Sequence, residues 1–199
     1  MKMTVFSLVL KLILLLGRVK RIKMGKLLRY CVFRTRWGWF GLYGSEKGLI
    51  RTCLPTSNKK NVPDHLLKRI DSPAEDSSFF QPLQEMIKSY FEGSYVDFRR
   101  ISVCLDGLTD FQKKVLLNLH TVKYGELTTY KDLASSSGKP TAFRAIGQVM
   151  ARNPLPLIIP CHRVVRKDGL PGGFSAEGGV NMKKKMQALE SATVGEIEA

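Results

Sequence analysis

The chain has 199 residues, 44% of them hydrophobic, and carries 32 Lys and Arg against 17 Asp and Glu, a formal charge of +15. That length allows one large or two small domains with cores of their own, and the composition excludes a disordered or low-complexity chain. The basic excess points to a polyanionic partner; four cysteines (Cys31, Cys53, Cys104 and Cys161) with neither a CxxC pair nor zinc-finger spacing argue against a disulfide framework and for a reducing compartment, the cytoplasm.

Residues 5–16 form an apolar run interrupted by Ser7 and Lys11 and followed by Arg18, Lys20, Arg21 and Lys23. The run is shorter than the roughly 20 apolar residues a membrane-spanning helix needs. It also lacks the small-residue cleavage site of a signal peptide. Residues 1–23 therefore read as a leader or an extension ahead of a start at Met24, and no membrane partner is expected. Without them six basic residues and no acid are lost, which takes the charge from +15 to +9, so the basic character stands either way.

Segments 27–33, 37–43 and 48–54 are β-prone, and the glycine-bearing turn 44–48 suggests an antiparallel meander. Residues 58–78 are polar, with Pro63 and Pro73, and read as a loop holding a short helix at Leu66 and Leu67. Leu83, Met86, Ile87, Tyr90 and Phe91 recur at helical spacing over 80–91, with Gly93 as the stop. Residues 97–105 return to strand character and close an N-terminal α/β domain over 24–106.

The second domain, 107–199, opens on Thr109-Asp-Phe-Gln112, a capping-box pattern, followed by the stripe Phe111, Val115, Leu116 and Leu119. Tyr124-Gly125 breaks that helix. Thr128 or Thr129 caps a short helix through Tyr130, Leu133 and Ala134, which ends at Gly138. Thr141 starts a third, turning Ala142, Ala145, Ile146 and Val149 inward and stopping at Asn153-Pro154. The pattern suggests a helix-turn-helix with 141–152 as recognition helix, although pattern alone favours a plain three-helix bundle. Residues 155–160 read as a strand and 161–166 with the Lys-Asp-Gly turn as a wing. A last helix over 180–189 carries Lys183, Lys184 and Lys185.

Cys161 lies between Pro160 and His162. Thiolate is the reactive form of cysteine, whose free pKa is about 8.5. A histidine can take the thiol proton and a carboxylate can orient the histidine. His162 and Glu190 are the candidates, with a water between Cys161 and His162, since neighbouring side chains need not face each other. On these residues alone, a buried structural cysteine beside an exposed histidine reads as well.

The block from Phe111 to Glu190 resembles the O6-alkylguanine-DNA alkyltransferases, the methylated-DNA–protein-cysteine methyltransferases. The resemblance is carried by Tyr-Gly-Glu-Leu-Thr-Thr-Tyr (124–130), Phe-Arg-Ala-Ile-Gly (143–147), Arg-Asn-Pro-Leu-Pro-Leu-Ile-Ile-Pro-Cys-His-Arg-Val-Val (152–165) and Gly-Gly-Phe-Ser (172–175). It implies an α+β fold: a small N-terminal antiparallel sheet domain, RNase H-like, followed by a C-terminal winged helix-turn-helix domain. It implies direct-reversal DNA repair, in which an alkyl group passes irreversibly from O6 of guanine, or O4 of thymine, to Cys161. The partner would be double-stranded DNA containing O6-alkylguanine, met by a monomer without a cofactor.

The resemblance assigns roles residue by residue. Cys161 is the alkyl acceptor, His162 takes its proton through a water, and Glu190 holds His162. Tyr130 contacts a phosphate and can donate to the leaving guanine. Arg144 fills the place of the flipped nucleotide, small neighbours such as Ala145 and Gly147 letting the helix approach a minor groove. Asn153 ties the recognition helix to the active-site turn, and Ser175 lies near O6. Ala176 and Glu177 extend the 172–179 segment beyond the family pattern, which suggests a wider pocket rim. Some members hold zinc in the first domain; Cys31, Cys53 and His65 do not match that pattern, so no metal is expected. The rival readings are a non-catalytic DNA-damage-binding protein, a cysteine-based sensor, and a cysteine hydrolase, for which no oxyanion hole is visible.

Overall fold

Two tight turns fold the start of the described chain into a meander: β1 (Arg29–Thr35), β2 (Gly38–Ser45) and β3 (Gly48–Thr56). The computed structural model describes residues 28–68 and 73–198, so the leader proposed for 1–23 lies outside the described residues. β1 and β2 pair antiparallel from Arg29↔Gly44 to Thr35↔Gly38, and β2 pairs antiparallel with β3. A two-residue strand, β4 (Ala74–Glu75), adds to β1 in parallel, giving the order β3-β2-β1-β4.

Side chains alternate across this sheet. Cys31, Phe33, Phe40, Leu42 and Leu49 face α2 (Gln81–Glu92), which presents Leu83, Ile87, Tyr90 and Phe91. Fully burying each such aliphatic or aromatic side chain contributes about 1.5–3 kcal/mol. The other face carries Tyr43 and Cys53 under α1 (Asn61–Leu66) with its Val62 and Leu66. Gly41 is required there, because a Cβ would collide with both Val62 and Leu66.

Residues 97–105 do not form the expected strand. Asp97 accepts the Arg99 N–H at 2.9 Å and Phe98 O accepts the Ile101 N–H at 3.0 Å, so the backbone turns before it can run extended. What remains is one parallel bridge, Leu49↔Val103.

The C-terminal half packs helices around a second part of the core. α3 (Asp110–His120) begins with the reciprocal box: Gln112 N–H donates to Thr109 Oγ1 at 3.3 Å, and Thr109 N–H to Gln112 Oε1 at 2.9 Å. α4 (Tyr130–Ser136) is capped by Thr129, whose Oγ1 accepts Asp132 N–H at 3.1 Å. α5 (Phe143–Ala151) starts later than expected, so Ala142 is a flanking residue and the buried stripe is Ile146, Val149 and Met150.

Residues 155–160 are a turn-rich loop rather than a strand. Pro154, Pro156 and Pro160 have no N–H to give a ladder, Leu157 sits at φ +76°, and Ile159 N–H donates to Leu155 O at 2.8 Å. A 3-10 turn over Cys161–Arg163 leads into β6 (Val164–Val165), parallel to β5 (Thr128–Thr129). The wing is small: Val165 bridges Pro171, and Arg166 N–H donates to Leu170 O. Across the chain, Thr52 of β3 donates its N–H to Pro154 O at 3.0 Å and its hydroxyl to Pro156 O at 2.7 Å.

The final helix, α6 (Gly179–Glu198), runs well past residue 189, which places Glu190 within it. No helix among the described residues is long and apolar enough to cross a membrane. The α+β arrangement inferred from the sequence, a small antiparallel sheet followed by a helical half, is the one observed.

Candidate active site

Asn153 organises the approach to Cys161. Its Oδ1 accepts the Leu155 N–H at 3.0 Å and its Nδ2 donates to Ile159 O at 2.8 Å, so one amide closes both ends of the proline-rich loop. Cys161 follows directly, its N–H donating to Ile159 O at 2.8 Å, with the residue only 5% exposed. Burial pushes the thiol up, while a hydrogen bond from Asn153 and the charge of Lys183 pull it down without cancelling the rise. Cys161 therefore rests as a thiol and needs a base at the moment it reacts.

A candidate base follows it in the chain. His162 is fully buried, and its Nε2 meets Glu190 Oε1 at 2.7 Å. Burial lowers the imidazole pKa more than Glu190 restores it, so the ring is neutral at pH 7. With Nε2–H donated to the carboxylate, Nδ1 carries the lone pair, and no protein group among the described residues bonds it. Burial by itself raises Glu190, but His162 and Arg163 outweigh that and hold it well below the usual carboxylate range.

Glu190 is thoroughly partnered. Arg163 donates Nε to Oε2 at 2.9 Å and Nη2 to Oε1 at 3.0 Å, and Gly125 N–H donates to Oε2 at 3.1 Å. Arg163 also donates Nη1 to Val122 O at 2.7 Å. Gln187 donates to His162 O at 2.7 Å, fixing the backbone of the 3-10 turn against α6.

Lys183, 1% exposed, donates to Val164 O at 2.6 Å and lies 5.9 Å from the Tyr130 ring centroid and 6.0 Å from that of Phe174. Burial lowers its pKa, and Cys161 partly restores it. A buried cation held beside a thiol favours thiolate over thiol.

The opening lies between α4, α5 and the 172–175 segment. A cavity of about 480 Å3 is lined by Tyr130, Phe143, Gly147, Ala151, Phe174 and Ser175, among others. Tyr130 is raised by burial and by Cys161, so it is a phenol able to donate. Arg144 stands exposed in the first turn of α5. Ser175 is exposed and its hydroxyl donates to Ala151 O at 3.4 Å. A second cavity, of about 740 Å3, reaches Cys161 from the sheet side, past Thr52, Met150, Asn153 and Ala176. Glu177 spans its rim, accepting the Ser57 N–H at 3.1 Å, so the two extra residues bridge to the N-terminal half.

Cys31 and Cys53 are pushed up to about 12 by burial and bond the carbonyls of Phe79 and Leu54, so both are neutral thiols. Among the described residues, no three His, Cys, Asp or Glu side chains are grouped to hold a metal ion.

Residues 110–192 match the model of the 6-O-methylguanine DNA methyltransferase DNA-binding domain. A methylated-DNA–protein-cysteine methyltransferase of Methanosarcina barkeri is 41% identical over 164 residues, 81% of this chain and 96% of that protein. One from Metallosphaera sedula is 36% identical over 78% of this chain and 94% of its own length. The chain belongs to the methylated-DNA–protein-cysteine methyltransferase family. The fold agrees: the crystal structure of Mycobacterium tuberculosis OGT in complex with DNA superposes with a TM-score of 0.68 at 28% identity, covering 83% of this chain and 94% of that one. The O6-methylguanine-DNA methyltransferase from Pyrococcus kodakaraensis gives 0.62 at 29% identity, covering 82% and 98%.

In this methyltransferase-family chain, Asn153 hydrogen-bonds the Cys161 thiol, the neighbouring His162 pairs with Glu190, and Tyr130 and Ser175 line one cavity. Arg144 is on α5, outside the polar cluster. Sequence reasoning missed Arg163, Lys183, Gln187 and Tyr90. For Lys183 there was a signal: Lys183, Met186, Glu190 and Thr193 recur at helical spacing and share the buried face of α6.

Proposed function

We propose that the chain repairs DNA by direct reversal, taking a methyl or other alkyl group from O6 of guanine onto Cys161 once per molecule. The observation that carries the reading is a buried cysteine followed in the chain by a buried imidazole whose Nε2 is held by Glu190 at 2.7 Å and whose Nδ1 is open.

The damaged nucleotide leaves the duplex and enters the cavity beside Tyr130, with Arg144 entering the stack in its place. His162 Nδ1 takes the Cys161 proton through a water. The sulfur attacks the alkyl carbon opposite O6; an S–C bond forms, the C–O6 bond breaks, and its electron pair stays on the guanine. Tyr130 donates to the base as that charge develops, and Lys183 favours the attacking thiolate. Ser175 and its neighbours contact the edge of the base. The thioether has no route back to a thiol, so the acceptor is consumed.

The acceptor half, 107–199, and the sheet half, 24–106, act as two domains of one monomer, with 1–23 a leader or extension ahead of them. Four free cysteines suit the reducing cytoplasm, and the charge of +15 suits the phosphate backbone of double-stranded DNA.

Incubation with a duplex oligonucleotide containing O6-methylguanine, followed by intact-mass and peptide analysis, tests this. One methyl per molecule on Cys161 is expected. Binding without a mass gain would favour a damage-binding protein, and repeated turnover a hydrolase.

A further inference from the structure

α2 belongs to the N-terminal half, yet it ends beside the acceptor site. Tyr90 is fully buried, and its hydroxyl donates to Glu190 Oε1 at 2.8 Å while lying 3.5 Å from His162 Nε2. The same carboxylate oxygen takes His162 at 2.7 Å. The register is fixed from outside the pair: Thr193 of α6 donates to Gly93 O, just past the end of α2, at 2.8 Å, and Tyr124 donates to Thr193 Oγ1 at 3.1 Å.

The ring alone would be satisfied as phenylalanine, packed 5.1 Å from Phe91 and 5.9 Å from Phe98 and from Tyr124. The hydroxyl adds a third donor to an oxygen already shared by His162 and Arg163. Arg163 donates to both carboxylate oxygens, and Tyr90 adds its hydrogen bond to Oε1. We propose that Tyr90 is a positioning residue of the acceptor site: by holding Glu190 Oε1 against His162 Nε2 it sets the tautomer that leaves Nδ1 free to take the thiol proton.

The groups facing His162 are Glu190, Tyr90, Arg163 and Lys183, and Tyr124 also faces Glu190. Removing the phenol O–H leaves Oε1 with one donor fewer, so the carboxylate stabilises an imidazolium better. The His162 pKa then rises, and less of the base is available at neutral pH.

This inference rests on the alkyl-transfer reading, but its first readout does not need DNA. In full-length Tyr90→Phe, the nitrogen-15 imidazole spectrum is expected to show a higher His162 titration midpoint and a mixture of ring tautomers. Single-turnover alkyl transfer is expected to fall about tenfold near pH 6.5 and to recover toward pH 8.5. Thr35→Val, which removes a buried hydroxyl bonded to Gly38 O in the sheet half, is expected to lose comparable stability with the profile unmoved. If Tyr90→Phe does not fold, 3-fluorotyrosine at position 90 keeps the ring and strengthens the donor, and should move the midpoint downward. A His162 midpoint and tautomer identical to the parent in every variant obtained would overturn the proposal. Failure of the parent itself to accept a methyl group would sink the alkyl-transfer reading and leave the titration result standing.

Discussion

Gly172 and Tyr130 approach so closely that a single methyl added at 172 would collide with the phenol oxygen and the ring edge. The phenol lies against bare backbone, so the shape of the cavity that both residues line depends on a missing side chain.

Gly172→Ala is therefore expected to displace Tyr130 and slow single-turnover transfer by about ten- to a hundredfold, the scale of a 1 Å misplacement in a reacting site. Gly172 is at the surface-side rim, so the melting temperature should change little. Calorimetry beside a rapid-quench rate measurement separates the two.

Asn153→Ala removes an acceptor from Leu155 N–H, a donor to Ile159 O and a hydrogen bond to Cys161. Leaving such partly buried groups unpaired should cost about 1–3 kcal/mol in urea unfolding. The Cys161 thiol should also titrate higher, which the pH dependence of iodoacetamide labelling reads directly.

Glu190→Gln leaves the Arg163 guanidinium buried without its counter-charge. Breaking a buried pair by removing one partner costs about 3–5 kcal/mol. Transfer should fall in parallel, because an amide, which can turn either its oxygen or its NH2 toward Nε2, replaces the acceptor-only carboxylate that fixes the His162 tautomer. An unchanged unfolding midpoint in urea would contradict the picture of Glu190 as the site's anchor.

Acid should weaken the fold in two steps of the same sign. His162 is depressed by burial, so the unfolded chain binds that proton first, and stability is lost as pH falls below about 6.5. Glu190 is depressed by His162 and Arg163, although burial alone would raise it, and its contribution is lost as pH falls below about 4.3. Urea unfolding from pH 8 to 2 should show both declines; His120, also depressed by burial, shares the upper one, so His162→Gln should shrink it without removing it.

Arg144→Ala touches neither the thiol nor its base. Repair in duplex DNA should drop by about tenfold or more, since an unstacked state costing a few kcal/mol loses its filler. Reaction with a free O6-alkylguanine base should be nearly unchanged, and a comparable loss on both substrates would place Arg144 in the chemistry instead.

Short-range signals were the legible ones. The Thr109–Gln112 box, the Thr129 cap and the α2 stripe are written in local spacing, and the structure has each where the spacing put it. Residues 97–105 and 155–160 misled for one reason: apolar, β-prone side chains were read without asking whether the backbone was free to pair. Asp97 captures an N–H in the first case, and Pro156 and Pro160 remove theirs in the second. Cys161, His162 and Glu190 were found through a motif, whereas Tyr90 lies 100 residues from Glu190 and no local pattern links them.

The Thr52 contacts with Pro154 and Pro156 have a consequence for solubility. β3 is the outer strand of its sheet, and an outer strand with open N–H and C=O groups invites pairing with another molecule. The segment laid along Thr52 is rich in proline, so it can accept hydrogen bonds from that edge but cannot extend the pairing outward. The loop that presents the acceptor thiol thus also caps a sticky edge, and variants that loosen it should clump as well as react slowly.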